Sequence, residues 1–418
     1  MIKVLWIVNT IFPEVNEYLN NNKSFKTSGG WLIASADELM SSGGIELSII
    51  NVSPRVKRLS FVKGDKIHYY VLPFHKNYKD YYSDMKEVNR LSTPDIVHIH
   101  GTEMPFGRAW IDACPINNVV VSIQGLISVI SQYYFAGLSY WEILSNITLR
   151  DILRTTILGE RKDFIKRGEI EKDVLKRVKH IVGRTSFDHA HCLAINPDLN
   201  YHFCNESLRR EIYGGVWRYD KCKPHSIFLS QASYPIKGLH LVLKALPLIK
   251  RHFPDVTIRV AGGDITRMDS LEWKLRQSGY GKIIRELIKK NKLEDTIIFT
   301  GPLDSAQMKN EYLNANLFIC PSSIENSSNS VCEAQILGVP TLASYVGGLP
   351  DLIPNEDCGI LYRYDDIEML AFKVCQLFDK SPQFDNSEMI DLAKKRHNVE
   401  ANNRQLISIY RTVLESKK

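Results

Sequence analysis

Short β-branched runs alternate with amphipathic helical stretches from one end of the chain to the other. Ile2–Val8, Glu46–Val52, Lys66–Leu72, Asp95–His100, Val119–Ile123 and His180–Gly183 read as strands. Beyond residue 225, so do Ser226–Ser230, Thr257–Ala261, Thr296–Thr300, Ala315–Cys320 and Thr341–Ser344. Helical periodicity lies between them, as in Leu239–His252, Lys282–Lys290 and Ser305–Leu313. Short apolar strands alternating with helices predict parallel sheets covered on both faces. The pattern lapses over Tyr213–His225, a stretch rich in Gly, Pro and charge. A seam there predicts a first domain over 1–215 and a second over 216–400. Residues 401–418 hold a terminal helix, Ala401–Leu414, able to pack back on the first domain. The predicted fold is α/β, two doubly wound Rossmann-like domains facing across a cleft, with ligands at the carboxyl ends of the strands.

At 418 residues the chain exceeds what one core usually serves. A net charge of +6 is modest. Its basic residues are interspersed with acids, which argues against a nucleic-acid binder. None of the eight cysteines has C-x-x-C spacing, so neither a zinc site nor a redox motif is signalled. Reduced thiols in a cytoplasmic protein are expected. Met1–Val8 fits a first strand better than a signal peptide. Pro115–Trp141 carries no charge but many polar residues, unlike a membrane span. No G-x-G-x-x-G follows the first strand, which argues against a Rossmann oxidoreductase.

The richest segment runs from Pro321 to Asp351. A strand ends at Cys320; a polar loop and a short helix over Val331–Leu337 follow, stopped by Gly338 and Pro340. Glu325 and Glu333 flank Ser327, Ser328, Asn329 and Ser330. The helix start suits phosphate, and the carboxylates suit sugar and ribose hydroxyls. Ser330-x-x-Glu333 also reads as a capping box, which would place Glu333 in a purely local role.

This segment resembles the retaining glycosyltransferases of the glycogen-synthase and sucrose-synthase-like superfamily (group 1, family 4). The resemblance rests on Glu325 with Glu333, Gly338-Val339-Pro340 and Gly347-Gly348-Leu349-Pro350. Upstream, Pro235-Ile236-Lys237-Gly238, Ala261-Gly262-Gly263 and Phe299-Thr300-Gly301-Pro302-Leu303 match in the same order. In the first domain, Gly29-Gly30 before Trp31–Met40 and His98-x-His100-Gly101 resemble the family more loosely. The likeness implies a GT-B fold and metal-independent hexosyl transfer with retention, in bacterial polysaccharide biosynthesis of the capsule or O-antigen type. It implies no cofactor, since the nucleotide sugar is substrate.

Carried over, Lys237 and Glu325 are the expected catalytic residues. Ser328, Asn329, Ser330, Glu333, Gly262, Gly263, Leu303, Gly29 and Gly30 are the expected donor contacts. His100 and Gln124 are the expected acceptor contacts, and no metal ligands are expected. A metal pair of His98 and His100 lacks a third ligand, and His98 is expected to be buried. Two departures stand out: Ala232 replaces an Arg often found five residues before the lysine, and Gln124 replaces a cleft histidine. Arg184 or Arg209 is the expected substitute cation. An apolar loop, Phe135–Trp141, lies beside the basic stretch from Arg150 to His180. Arg161, Lys162, Lys166 and Arg167 there are expected to face an anionic membrane, suiting a lipid-linked acceptor and a place on its inner face. The competing readings are a nucleotide-sugar 2-epimerase and a non-catalytic nucleotide-sugar-binding subunit.

Overall fold

The computed structural model describes residues 1–20 and 30–416. Two compact units emerge, each assembled from separated stretches of chain. Unit 1 comprises Met1–Ser128, Lys166–Arg209 and His397–Lys418. Unit 2 comprises Val129–Ile165 and Arg210–Arg396. A single cut near residue 215 therefore describes only part of the division, because Val129–Ile165 lies with the second unit.

Unit 1 holds β1 (Ile2–Ile7), β2 (Ile45–Ser53), β3 (Ser60–Lys63), β4 (His68–Pro73), β5 (Ile96–His100), β6 (Val119–Ser122), β7 (His180–Gly183) and β8 (Asn200–Phe203). Their order is β3-β4-β2-β1-β5-β6-β7-β8, parallel except for the β3–β4 pair. The mainly apolar strands β5, β6 and β7 are buried throughout, as expected of a sheet covered on both faces. The helix Val399–Glu415 is tied into this unit by polar contacts. The Tyr410 hydroxyl accepts from Trp6 Nε1 at 3.0 Å and lies 2.8 Å from His98 Nδ1. Asn403 Nδ2 donates to Glu38 O at 3.3 Å.

Unit 2 holds β9 (Lys223–Leu229), β10 (Thr257–Val260), β11 (Ile297–Phe299), β12 (Ala315–Cys320), β13 (Thr341–Ser344) and β14 (Ile360–Tyr362). They are all parallel, in the order β11-β10-β9-β12-β13-β14. Specific contacts bind Val129–Ile165 here. His240 Nε2 lies 2.9 Å from Ala136 O, Thr148 Oγ1 donates to Gln277 O at 2.7 Å, and Ser323 Oγ donates to Tyr133 O at 2.9 Å. Among the described residues no helix is long and apolar enough to cross a membrane.

Burial leaves several histidines hard to protonate. His98 is driven down to about 3 and His240 to about 4, in each case chiefly by desolvation. Each stays neutral when folded but takes a proton near pH 6.5 when unfolded. Their contribution is thus intact above that pH and is lost as pH falls towards the folded value. Each histidine contributes about 1.4 kcal/mol per pH unit in that window. Urea denaturation between pH 7 and pH 5 should show a shallower pH slope for His98→Asn, by an amount approaching one proton near pH 5; an unchanged slope would refute the assignment.

Candidate active site

The loop after β9 ends in a tight turn, Pro235–Lys237, followed by Gly238 at φ 72° and the helix Leu239–His252. Gly238 is required twice over. Its conformation is left-handed, and a Cβ there would stand 2.0 Å from the Pro321 carbonyl oxygen. That close approach presses the turn against the chain leaving β12, where Ser323 N donates to Ile236 O at 2.9 Å. Lys237 Nζ consequently reaches Glu325 Oε1 at 2.6 Å. The same oxygen accepts from the Ser322 hydroxyl at 2.7 Å, a partner that sequence reading missed. Burial alone would pull the Lys237 ammonium down, but the adjacent Glu325 carboxylate outweighs it and holds the group above the ordinary lysine range. Glu325 is fixed from behind as well. Its carbonyl accepts from Gly348 N at 3.1 Å, and a Cβ on Gly347, at φ 53°, would stand 1.8 Å from that oxygen. Loops following β9, β12 and β13 thus converge on one ion pair at the carboxyl edge of the sheet.

The helix after Glu325 spans Asn329–Leu337, starting two residues earlier than the sequence pattern predicts. Ser328 is its N-cap and makes no side-chain cap bond. Ser330 therefore lies inside the helix, Glu333 is the fifth helical residue, and the capping box does not form. Glu333 is buried and accepts from Tyr312 Oη at 3.2 Å. Asn329 Oδ1 is buried without a hydrogen-bond partner. Gly338 closes the helix at φ 77°, as expected.

Gly262, at φ 110°, exchanges backbone hydrogen bonds of 3.1 Å with Gly301, joining the loops after β10 and β11. Nothing lies within 4 Å of a Cβ placed on Gly262 or Gly263. Gly263, Ser233, Trp273 and Thr300-Gly301-Pro302 line an open cavity of about 830 Å³. Leu303 follows, half-buried.

Unit 1 rearranges the expected roles. Arg184 is buried and ion-paired with Glu206, whose other carboxylate oxygen accepts from Gln124 Nε2 at 3.1 Å. Burial raises the Glu206 carboxyl, with Arg184 and Gln124 pulling the other way. The charge of Arg184 is therefore matched by Glu206 inside unit 1, a second role beside the expected one of phosphate cation. No local motif marks Glu206. Arg209 lies against Gly30, its Cγ 3.4 Å from where a Cβ would be, and Gly30 opens the helix Gly30–Ser41. Gly29 lies outside the described residues. His98 is bonded to Tyr410 and, at 2.6 Å, to the Ser122 hydroxyl. His100 stacks on His98 at 4.0 Å, and both its ring nitrogens are buried without partners. Burial and then the neighbouring His98 hold His100 well below the usual histidine range. Trp31, His100, Arg184, Glu206 and Asn402 share one pocket of unit 1. Arg184→Ala should cost about 3–5 kcal/mol by stranding Glu206, measured by urea denaturation, while leaving donor affinity unchanged. Weakened donor binding with unchanged stability would restore Arg184 to the donor site.

Residues 217–405 match the family model of glycosyl transferases group 1, a span holding Lys237, Glu325, Glu333 and their glycine turns. They are a group 1 glycosyltransferase domain. The D-inositol 3-phosphate glycosyltransferase of Corynebacterium urealyticum is 25% identical over 185 residues, 43% of this chain and 41% of that protein. The chain thus spans about two fifths of the length of the curated relatives it matches first. Solved structures extend the likeness to nearly the whole chain. A sucrose-phosphate synthase from Thermosynechococcus elongatus superposes with a TM-score of 0.70 at 15% identity, covering 99% of both chains. Anabaena HepE in complex with UDP and glucose gives 0.64 at 14% identity, covering 98% of this chain and 99% of that one. These two likenesses carry the fold: the group 1 glycosyltransferase domain belongs to an α/β chain of the GT-B class.

Proposed function

We propose that the protein is a retaining glycosyltransferase that moves a hexosyl group from a nucleotide sugar to a glycan or lipid-linked acceptor in polysaccharide assembly, without a metal. The observation that carries this reading is the half-buried Lys237–Glu325 pair, 2.6 Å apart and held by two glycines that pack against backbone carbonyls. An ammonium fixed in a water-poor site can stabilise a departing diphosphate, aided by backbone N–H groups at the start of the Asn329–Leu337 helix. Glu325 then exchanges part of its contact with Lys237 for hydroxyls of the transferred sugar. Glu333 accepts from the ribose diol. The acceptor hydroxyl approaches the anomeric carbon from the face the diphosphate leaves, so configuration is kept. His100 and Gln124 of unit 1 are assigned to the acceptor. Since the HepE complex holds UDP and glucose, a UDP-hexose is the first donor to try.

The test is a panel of nucleotide sugars, read by thermal shift and by transfer, with Lys237→Ala and Glu325→Ala alongside. Stabilisation by one donor, lost in both variants, supports the reading. A product of inverted anomeric configuration by NMR, or activity lost on chelation, would overturn the corresponding part. Consumption of donor with no acceptor present would indicate epimerisation. A folded protein that no donor stabilises would be a partner subunit instead. Glu333→Gln should weaken donor affinity about tenfold by removing charge-assisted hydrogen bonds, measured by calorimetric titration; unchanged affinity would return Glu333 to a role within the fold.

A further inference from the structure

Unit 2 exposes large apolar side chains on three short helices, Tyr140–Ser145, Leu149–Leu153 and Leu271–Arg276. Trp141 is 78% exposed, Ile152 73%, Leu153 75% and Leu271 74%. The spacing puts each set on one helix face: Leu149 with Ile152 and Leu153, and Leu271 with Leu275. Two contacts hold these stretches together. Thr148 Oγ1, at the cap of the second helix, donates to Gln277 O at 2.7 Å, and Lys282 Nζ donates to Ser145 O at 3.2 Å. Scattered exposed apolar residues are ordinary, but such a concentration in neighbouring short helices marks a surface that meets something apolar.

The charges around it say what. Within Tyr140–Arg154 and Leu271–Arg276 the exposed cations are Arg154, Lys274 and Arg276, and the one exposed carboxylate, Glu272, is already paired with Arg276. Asp151 is buried as a helix cap, and Glu142 is paired with Lys244. We infer that this face docks on an anionic lipid bilayer, its apolar side chains entering the headgroup boundary while its cations meet lipid phosphates. A second copy of the chain would set this cationic rim against itself. Of the four basic residues expected at a membrane, Lys162 and Lys166 are exposed, while the other two are engaged within the protein. Arg167 is paired with Glu103 at 2.8 Å, and Arg161 donates to Ser131 O at 3.0 Å while standing over the half-buried Phe135 ring. The surface centres instead on Trp141, Ile152, Leu153 and Leu271. It stands independently of the transfer reaction proposed above.

Co-sedimentation with vesicles of phosphatidylcholine containing about a third phosphatidylglycerol tests it, with pure phosphatidylcholine vesicles as control. The wild-type chain should bind the anionic vesicles and release them as salt rises. Ile152→Ser with Leu153→Ser, and separately Arg154→Glu with Lys274→Glu, should each weaken binding about tenfold. Their melting temperatures should match the wild type, because these side chains are solvent-exposed. No wild-type binding, or both variants binding as tightly as the wild type, would overturn the proposal. So would concentration-dependent self-association abolished by Ile152→Ser with Leu153→Ser, which would assign the face to a second copy.

Discussion

Lys237→Met should lower transfer by about 10³-fold or more, the order expected when a preorganised charge at a leaving group is removed. The side chain sits in a place no mobile cation can easily replace. Its turn is pinned by Gly238 against Pro321, and its ammonium lies against Glu325. Stability should fall as well, by about 1–3 kcal/mol, since the half-buried Glu325 carboxylate loses its counter-charge while keeping the Ser322 hydroxyl. Lys237→Met combined with Glu325→Leu separates the two effects. An apolar pair of similar volume should recover most of the lost stability, because the attraction within such a shielded ion pair is largely offset by its desolvation. Activity should stay absent. If the double variant regains turnover along with stability, the pair is a structural contact and not the reacting centre.

The second large effect belongs to Gly238. Alanine there must adopt a left-handed conformation, costing about 1–2 kcal/mol. Its Cβ would also stand 2.0 Å from the Pro321 carbonyl oxygen, so one of the two loops must move. Donor affinity should fall more than tenfold as Lys237 withdraws from Glu325, a loss of about 1.4 kcal/mol or more. Gly43→Ala is the control. Gly43 has the same φ of 72°, but nothing lies within 4 Å of its Cβ position. It should lose about as much stability as the conformation alone demands and keep full donor affinity. Equal losses of affinity in the two variants would mean that loop contact at Gly238 does not position the lysine.

What the sequence discloses and what it hides follow from range. Strands buried on both faces are legible because their apolar runs are local: Ala315–Cys320, Thr341–Ser344 and His180–Gly183 are found with the bounds their pattern predicts. Of the four edge strands only Ile297–Phe299 is anticipated, within Thr296–Thr300. Asn200–Phe203 has no fully buried residue, Ser60–Lys63 alternates between half-buried and exposed, and Ile360–Tyr362 has three residues. None offers an apolar run longer than three residues. The glycine turns are legible because the steric demand falls on the glycine itself. The partner of Arg184 is not, because Glu206 lies in another loop and reveals itself only when burial brings the two together. Ser330 and Glu333 show a local pattern overruled by folding, since a helix beginning at Asn329 moves both out of the capping positions. Val129–Ile165 follows the same logic: bonds to His240, Gln277 and Ser323 assign it to unit 2, and all three lie far away in sequence.

The interleaved chain also dictates an order of birth. Synthesis runs from the amino terminus, and domains fold as their residues become available. Unit 1 starts first, yet its contacts are completed only by Tyr410, which meets Trp6 across 404 positions. Unit 2 has all its parts once Arg396 has emerged, before the helix Val399–Glu415 exists. The half that is begun earliest on the ribosome is therefore finished last, and until then Trp6 and His98 lack the hydroxyl that joins them.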